Sequence, residues 1–402
     1  MKSKNDNLPR TKINLLILAY IAFVTLGLPT GLLGVAWPTL RADFSQPLDA
    51  MGFLFVTSTI GYLISSFFIA RLINRFGIGL LLIFSSVASA ISLIGYTLAP
   101  AWSVIVAIGC IGGFGSGVMD AGLNTYLASE YNEGQMQWLH ACYGIGATLS
   151  PIVMTASLAQ FVSWRPGYIF VGIVTAMMAI SFWITVSAWK KPNTLATEQK
   201  DSERGLMDYQ TSVWETLIQP FTLISILMFL LYTGAEFTLG NWTYTLLTES
   251  RGVSPQLAGL WAGGFWATFT IGRVLAGLYA HRIRLNTLMI VEMSLAFVGA
   301  ILFWWNPSAM VSAVGLFLVG FAMAPIFPGL VSSTSQRVGA HHAANTIGIQ
   351  LSAAALGGAL LPSLAGILAQ RVSLETIPAM LSVSLLGLLA LYWLSVRMKK
   401  VE

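Results

Sequence analysis

Apolar residues run along this chain in long, nearly unbroken stretches, and the polar interruptions between them are mostly short. Runs of about 20 apolar residues, the length of a helix that crosses a bilayer, occur at 13–40, 50–70, 78–98, 101–128, 137–160, 166–189, 218–247, 256–280, 285–305, 309–335, 343–369 and 375–396. The pattern predicts an all-α membrane protein with twelve transmembrane helices. The first run is too long for a signal peptide and no small-residue cleavage site follows a short apolar core, so it is read as a span. One interruption differs from the rest: from Lys190 to Gln210 there is Pro192, a cluster of charges and no apolar period. It reads as a connector, dividing the chain into an N-terminal six-helix bundle (1–189), a cytoplasmic linker (190–217) and a C-terminal six-helix bundle (218–402).

Composition agrees with the pattern. Of 402 residues, 56% are hydrophobic and 9% charged, against roughly 25% charged in a soluble domain. With the N-terminus inside, 16 of the 21 Lys and Arg fall on the cytoplasmic side and 4 opposite, and Arg273 lies inside a span. This positive-inside bias places both termini in the cytoplasm, in a bacterial inner (plasma) membrane. The net charge of +5 therefore reports topology, and without a basic stripe interleaved with aromatics no nucleic-acid partner is implied. Cys110 and Cys142 both lie in apolar spans and show neither disulfide nor zinc spacing.

The two halves repeat. Ala70-Arg71-Leu72-Ile73-Asn74-Arg75 matches Gly277-Leu278-Tyr279-Ala280-His281-Arg282 at an offset of 207, Gly113-Phe114 matches Gly320-Phe321 at 207, Pro47 matches Pro255 at 208, and Gly146–Pro151 matches Gly357–Pro362 at 211. A duplicated bundle places its site between the halves.

The 6 + 6 duplication, the long middle loop and the Asn74-Arg75-Phe76-Gly77 turn after span two together resemble the major facilitator superfamily. Its loop motif runs Gly-x-Leu-x-Asp-Arg-x-Gly; here the Gly is Ala70 and the Asp is Asn74, while Leu72, Arg75 and Gly77 are kept. Within the superfamily, DAGLNTYLA in span four, LHACYGIGATLSP in span five, LYTGAEFTLGNW in span seven, IGRVLAG in span eight and GIQLSAAALGGALLP in span eleven resemble the fucose:proton symporter type. That family's fucose carrier has a second acid in span one, four residues before a Pro; here Pro38 is present but the acid's position is Gly34. The resemblance implies a solute carrier working by alternating access, with the span-four acid as proton acceptor.

Ionisable residues inside spans are few: Asp120, His140, Glu236, Arg273 and Glu292. A carboxylate at mid-membrane is costly, which makes Asp120 a functional candidate; its alternative is an interhelical hydrogen-bond anchor. Asn124, four residues on, shares its helix face. His140 either contacts solute or holds the loop between spans four and five. Glu236 is either a second coupling carboxylate or the ion-pair partner of Arg273. Glu292 is expected to make an interhelical hydrogen bond. Asn241, Gln350 and Asn345 are solute-contact candidates, with helix capping as the alternative for Asn345. Trp37 and Trp242 suit either stacking on a pyranose or core packing. Pro29, Pro325 and Pro328 should bend or break their helices.

These readings point to a secondary active transporter for a small polar solute, a sugar, acting as a monomer with H+ as coupling ion and no cofactor or metal. Na+ coupling through Asp120 and Glu236, and proton-driven efflux of lipophilic compounds, remain as alternatives. HExxH, GxSxG and P-loop patterns are lacking, so the sequence does not read as an enzyme.

Overall fold

The computed structural model describes residues 10–131, 133–189, 211–279 and 282–397. Most of the linker (190–210), and Ala280 and His281 of the repeated turn, lie outside the described residues. Eleven helical runs among the described residues are long and apolar enough to cross a membrane: α1 Arg10–Asp43, α2 Leu48–Phe76, α3 Ile78–Leu98, α4 Trp102–Glu130, α5 Gly134–Phe161, α6 Arg165–Ala188, α7 Pro220–Ser250, α9 Leu285–Trp305, α10 Ala309–Ser332, α11 His341–Arg371 and α12 Thr376–Arg397. The remaining span is α8, Pro255–Tyr279, which carries Arg273 and has 25 residues, a length of about 37 Å at 1.5 Å per residue.

The duplication is visible in the element starts: α2, α3 and α4 begin at Leu48, Ile78 and Trp102, and α8, α9 and α10 begin 207 residues later. Neighbours repeat too. α1 packs on α5 as α7 does on α11, α2 on α4 as α8 on α10, and α3 on α6 as α9 on α12. The halves meet through α5 against α8, α2 against α11, and the second part of α1 against α7. Phe53, Phe67, Phe84, Trp183 and Ile184 are exposed, the arrangement of a protein whose solvent is lipid.

Local chemistry explains the irregular points. α1 unwinds over Leu28–Gly31 around Pro29, where the lost helical bonds are replaced from α5: Ser150 Oγ accepts from the Gly31 N–H at 3.0 Å and Thr30 pairs with the Tyr143 hydroxyl at 2.9 Å. Freed backbone groups at membrane depth need such partners. α10 breaks at Pro325, and Pro328 is carried in the helix that resumes at Ile326. After α2 the backbone turns at Gly77 with φ of 78°, a left-handed conformation that favours glycine, so the turn forms with Asn74 and Arg75 exposed beside it.

At one end the halves are clamped. Arg41 makes a bidentate pair with Glu249 (3.0 and 2.8 Å), Gln370 Oε1 accepts from the Leu48 N–H at 2.8 Å, and Ser363 reaches the Gly52 carbonyl at 3.4 Å. Each bundle carries its own ion pair here with reversed polarity: Asp43 accepts from Arg165 at 2.6 Å in the first, and Arg251 pairs with Glu375 at 2.7 Å in the second. Burial works to raise the Glu375 carboxyl, but the Arg251 guanidinium and the Ser250 hydroxyl outweigh it and hold the group below the usual carboxylate range.

Candidate functional site

The span-four acid is held within its own bundle. Asn124, one helical turn on, donates to Asp120 Oδ1 at 2.8 Å and to the Asp120 carbonyl at 2.9 Å. From α2 the Tyr62 hydroxyl donates to Oδ2 at 2.6 Å, a length typical of a bond to an ionised acceptor. Both carboxylate oxygens thus have a donor. His140 on α5 is in electrostatic range of Asp120 and of Arg273, and its ring meets Phe23 edge-on at 5.7 Å. Asn124 and His140 therefore converge with Asp120, and Tyr62 completes the group.

Across the interface, Glu236 (α7) and Arg273 (α8) share Tyr232, whose ring position lets it interact with both. The ion pair anticipated between them is not closed: among the described residues they make no direct contact pair. Arg273 instead stacks its guanidinium over Phe269 at 4.6 Å, and its Nε has no hydrogen-bond partner. The Tyr232 hydroxyl itself donates to the Met323 carbonyl at 3.1 Å. Tyr143 joins the two sets, lying in electrostatic range of Asp120, Glu236 and Arg273.

The cleft between α5 and α8 is lined by His140, Tyr143, Gly144, Trp266, Thr270 and Arg273. It is narrow, about 10 Å³, room for about one water. Besides Arg273 Nε, the Trp266 indole N–H has no partner among the described residues, so α8 presents two unsatisfied buried donors beside the cleft. Donors of this kind suit hydroxyl oxygens.

Several other candidates are placed elsewhere. Trp37 is fully buried, donates to the Leu48 carbonyl at 3.1 Å and packs on Trp102 at 5.4 Å. Trp242 is likewise fully buried, donates to the Pro362 carbonyl at 2.9 Å and packs over Gly366. Neither ring is free to stack on a sugar; both brace the clamped end, because an indole buried in a helix crossing needs its N–H satisfied. Asn345 donates to the Thr211 carbonyl and to Thr216 Oγ1, fixing the entry to the second bundle rather than lining the cleft. Gln350 is fully buried, accepts from Thr334 at 3.1 Å and leaves Nε2 unpartnered. Asn241 is buried and bonds the Phe237 carbonyl one turn back. Its backbone faces Gly34, where an added Cβ would come within 2.7 Å of the Asn241 carbonyl oxygen. The acid of span one is therefore replaced by a residue whose lack of a side chain allows α1 to cross α7. Glu292 makes the interhelical bond expected of it, accepting from Tyr279 at 2.7 Å.

The sequence profile of the Major Facilitator Superfamily matches residues 19–362 and 224–401. The chain belongs to the major facilitator superfamily. Among its relatives are the yeast "Bypass of stop codon protein 6" (Saccharomyces cerevisiae), 25% identical over 96% of this chain and 83% of the relative, and the human "Sodium-dependent glucose transporter 1", 22% identical over 86% and 72%. The "Glucose/mannose transporter" of Bacillus subtilis is 20% identical over 87% and 86%. Of solved structures, a bacterial homologue of the human lysosomal transporter Spinster superposes with a TM-score of 0.79 at 14% identity, covering 98% of this chain and all of that one. The E. coli fucose:proton symporter does so at 0.65 and 13% identity over 96% and 100%. Membership in this superfamily makes the protein an integral membrane transporter of a small-molecule solute, not an enzyme.

Sequence reasoning missed Tyr62, which bonds Asp120, and Tyr143 and Tyr232, which lie in electrostatic range of this facilitator's buried charges. Their signal was position: tyrosines normally sit at the membrane interfaces, and these three fall mid-span.

Proposed function

We propose that this protein is a sugar transporter that couples solute movement to protons through Asp120, rocking its halves about the cleft between α5 and α8. The observation that carries the reading is the Asp120 group: a half-buried carboxylate with a donor on each oxygen and a histidine within electrostatic range. A carboxyl so placed can exchange a proton as access alternates, and its donors hold it in one geometry in either state. The glucose and mannose named for two relatives supply the substrate class, and the unsatisfied donors on α8 suit sugar hydroxyls.

Sodium coupling is the second reading, favoured by the name of the human relative. Against it, the groups that meet the Asp120 carboxylate, the Tyr62 O–H and the Asn124 amide N–H, act there as donors, and a hard cation needs several oxygen ligands converging on it. A thermal-shift panel of aldohexoses, with and without Na+ and at two pH values, tests the proposal. We expect a hexose to raise the melting temperature in a pH-dependent, Na+-independent way; stabilisation that requires Na+ overturns proton coupling, and no response to any hexose overturns the substrate class.

A further inference from the structure

A second cavity, which shares no lining residue with the cleft, lies in the second bundle at the end that the Lys and Arg count assigns to the cytoplasm. It measures about 440 Å³ and is framed by the starts of α7 and α9, the end of α12 and the short helix Thr334–Val338 that follows α10. This is within the range of small-molecule pockets. Its lining includes Arg284 and Arg337, and none of the thirteen lining residues is acidic.

Arg337 is the central group. It is half-buried, and its described hydrogen-bond partners are all neutral: Ser395 Oγ at 3.1 Å, Asn286 Oδ1 at 3.2 Å and the Tyr392 hydroxyl at 3.4 Å. Phe221 and Tyr392 rings flank its guanidinium at 5.3 Å. Lys12, Arg41, Arg165 and Arg251, by contrast, each have a carboxylate at 2.6–2.8 Å. Phe221 and the first turn of α9 also bring uncapped helix N-termini to the same cavity, whose free N–H groups add positive potential.

The other half shows what the same place looks like when it is closed. At the offset of 207 residues, Gln219, Asn286, Ser333 and Arg337 correspond to Lys12, Gly79, Tyr126 and Glu130. There Lys12 pairs with Glu130 at 2.8 Å, the Tyr126 ring packs on Trp189 at 4.9 Å, and a Cβ added at Gly79 would come within 3.1 Å of the Trp189 Cβ. In the second half the acid has become Arg337, its lysine partner Gln219 and the filling tyrosine Ser333. An aromatic plug with internally neutralised charge is thus replaced by an open space with two guanidinium groups that have no carboxylate partner among the described residues.

We propose that this cavity binds a phosphate group, with Arg284 and Arg337 as its ligands. Guanidinium forks match phosphate oxygens, and the cavity's level, at the membrane surface, admits either a soluble phosphate monoester or a phospholipid headgroup. The site is separate from the transport cleft and does not depend on the identity of the solute.

The test uses the full chain in uncharged detergent, titrated with glycerol 3-phosphate, with dihexanoyl phosphatidylglycerol, and with dihexanoylglycerol as the uncharged control. Arg284→Gln changes an exposed side chain, so it tests the site even where Arg337→Gln does not fold. We expect saturable binding of at least one phosphate probe, a dissociation constant weakened about tenfold by Arg284→Gln, and no change in Arg71→Gln at the same end of the first bundle. Binding of glycerol 3-phosphate identifies a soluble ligand, and binding of the phospholipid alone identifies the headgroup. Absence of saturable binding by either probe, equal binding of dihexanoylglycerol, or affinity undiminished in Arg284→Gln overturns the proposal.

Discussion

The two bundles solve the problem of buried charge differently. In the first, Asp120 accepts one short bond on each oxygen, from Tyr62 and Asn124, and has no cationic hydrogen-bond partner among the described residues. In the second, Glu236 and Arg273 lie in electrostatic range of each other without forming an ion pair among the described residues, where Arg273 Nε also has no hydrogen-bond partner. A carboxylate fixed by neutral donors is suited to gaining and losing a proton, because no fixed positive charge holds it ionised. A carboxylate within range of an arginine but not bonded to it leaves the guanidinium's donors open to a ligand. On this account the first bundle holds the coupling group and the second supplies solute contacts.

The largest effect that would break this division is Asp120→Asn. It should lower gradient-driven accumulation in proteoliposomes at least about 100-fold while exchange between equilibrated compartments persists; loss of both to the same extent would make Asp120 a structural anchor. Next, Arg273→Ala should reduce transport or expression severely, and Glu236→Gln added to it should restore part of the loss. A coupling energy of at least about 1 kcal/mol in that cycle supports mutual compensation, and additive losses reject it. Tyr62→Phe removes one donor to the acid and should slow accumulation about tenfold, in line with a hydrogen bond to a charged group; wild-type rates would show that the bond is incidental.

The smallest effect concerns the clamped end. Since the Glu375 carboxyl is held below its ordinary value, its contribution to stability is present above the unfolded pKa, about 4.3, and is lost as pH falls through the lower folded value. Glu375→Gln should therefore lower the melting temperature at pH 7 by about 2–4 °C, a modest figure because the carboxylate is 39% exposed and screened. The difference should vanish in acid, which a melting series from pH 7 to pH 3 would read.

The spans, their duplication and the Pro29 and Pro325 breaks were legible because the bilayer imposes length and periodicity on the chain. Asp120, Asn124 and His140 were legible as a group because an intramembrane ionisable residue stands out against an apolar background. Partners that carry no formal charge were not: Tyr62 and Tyr232 resemble any other aromatic until the helices are placed side by side. For Trp37 and Trp242 the choice between stacking and core packing stayed open for a related reason. Depth in the membrane identifies a buried indole but not whether it faces the cleft or the crossing of two helices, and Gly366 and the Leu48 carbonyl decide that only in three dimensions. Gly34 read as a missing acid, whereas its neighbourhood shows a close approach to Asn241.

The most direct test of the central claim is proton movement itself. Proteoliposomes loaded with a fluorescent pH indicator and given external hexose, without any imposed gradient, should acidify internally with wild-type protein and not with Asp120→Asn. Hexose entry without a pH change in the wild type, or acidification that persists in Asp120→Asn, would contradict the assignment of coupling to this residue.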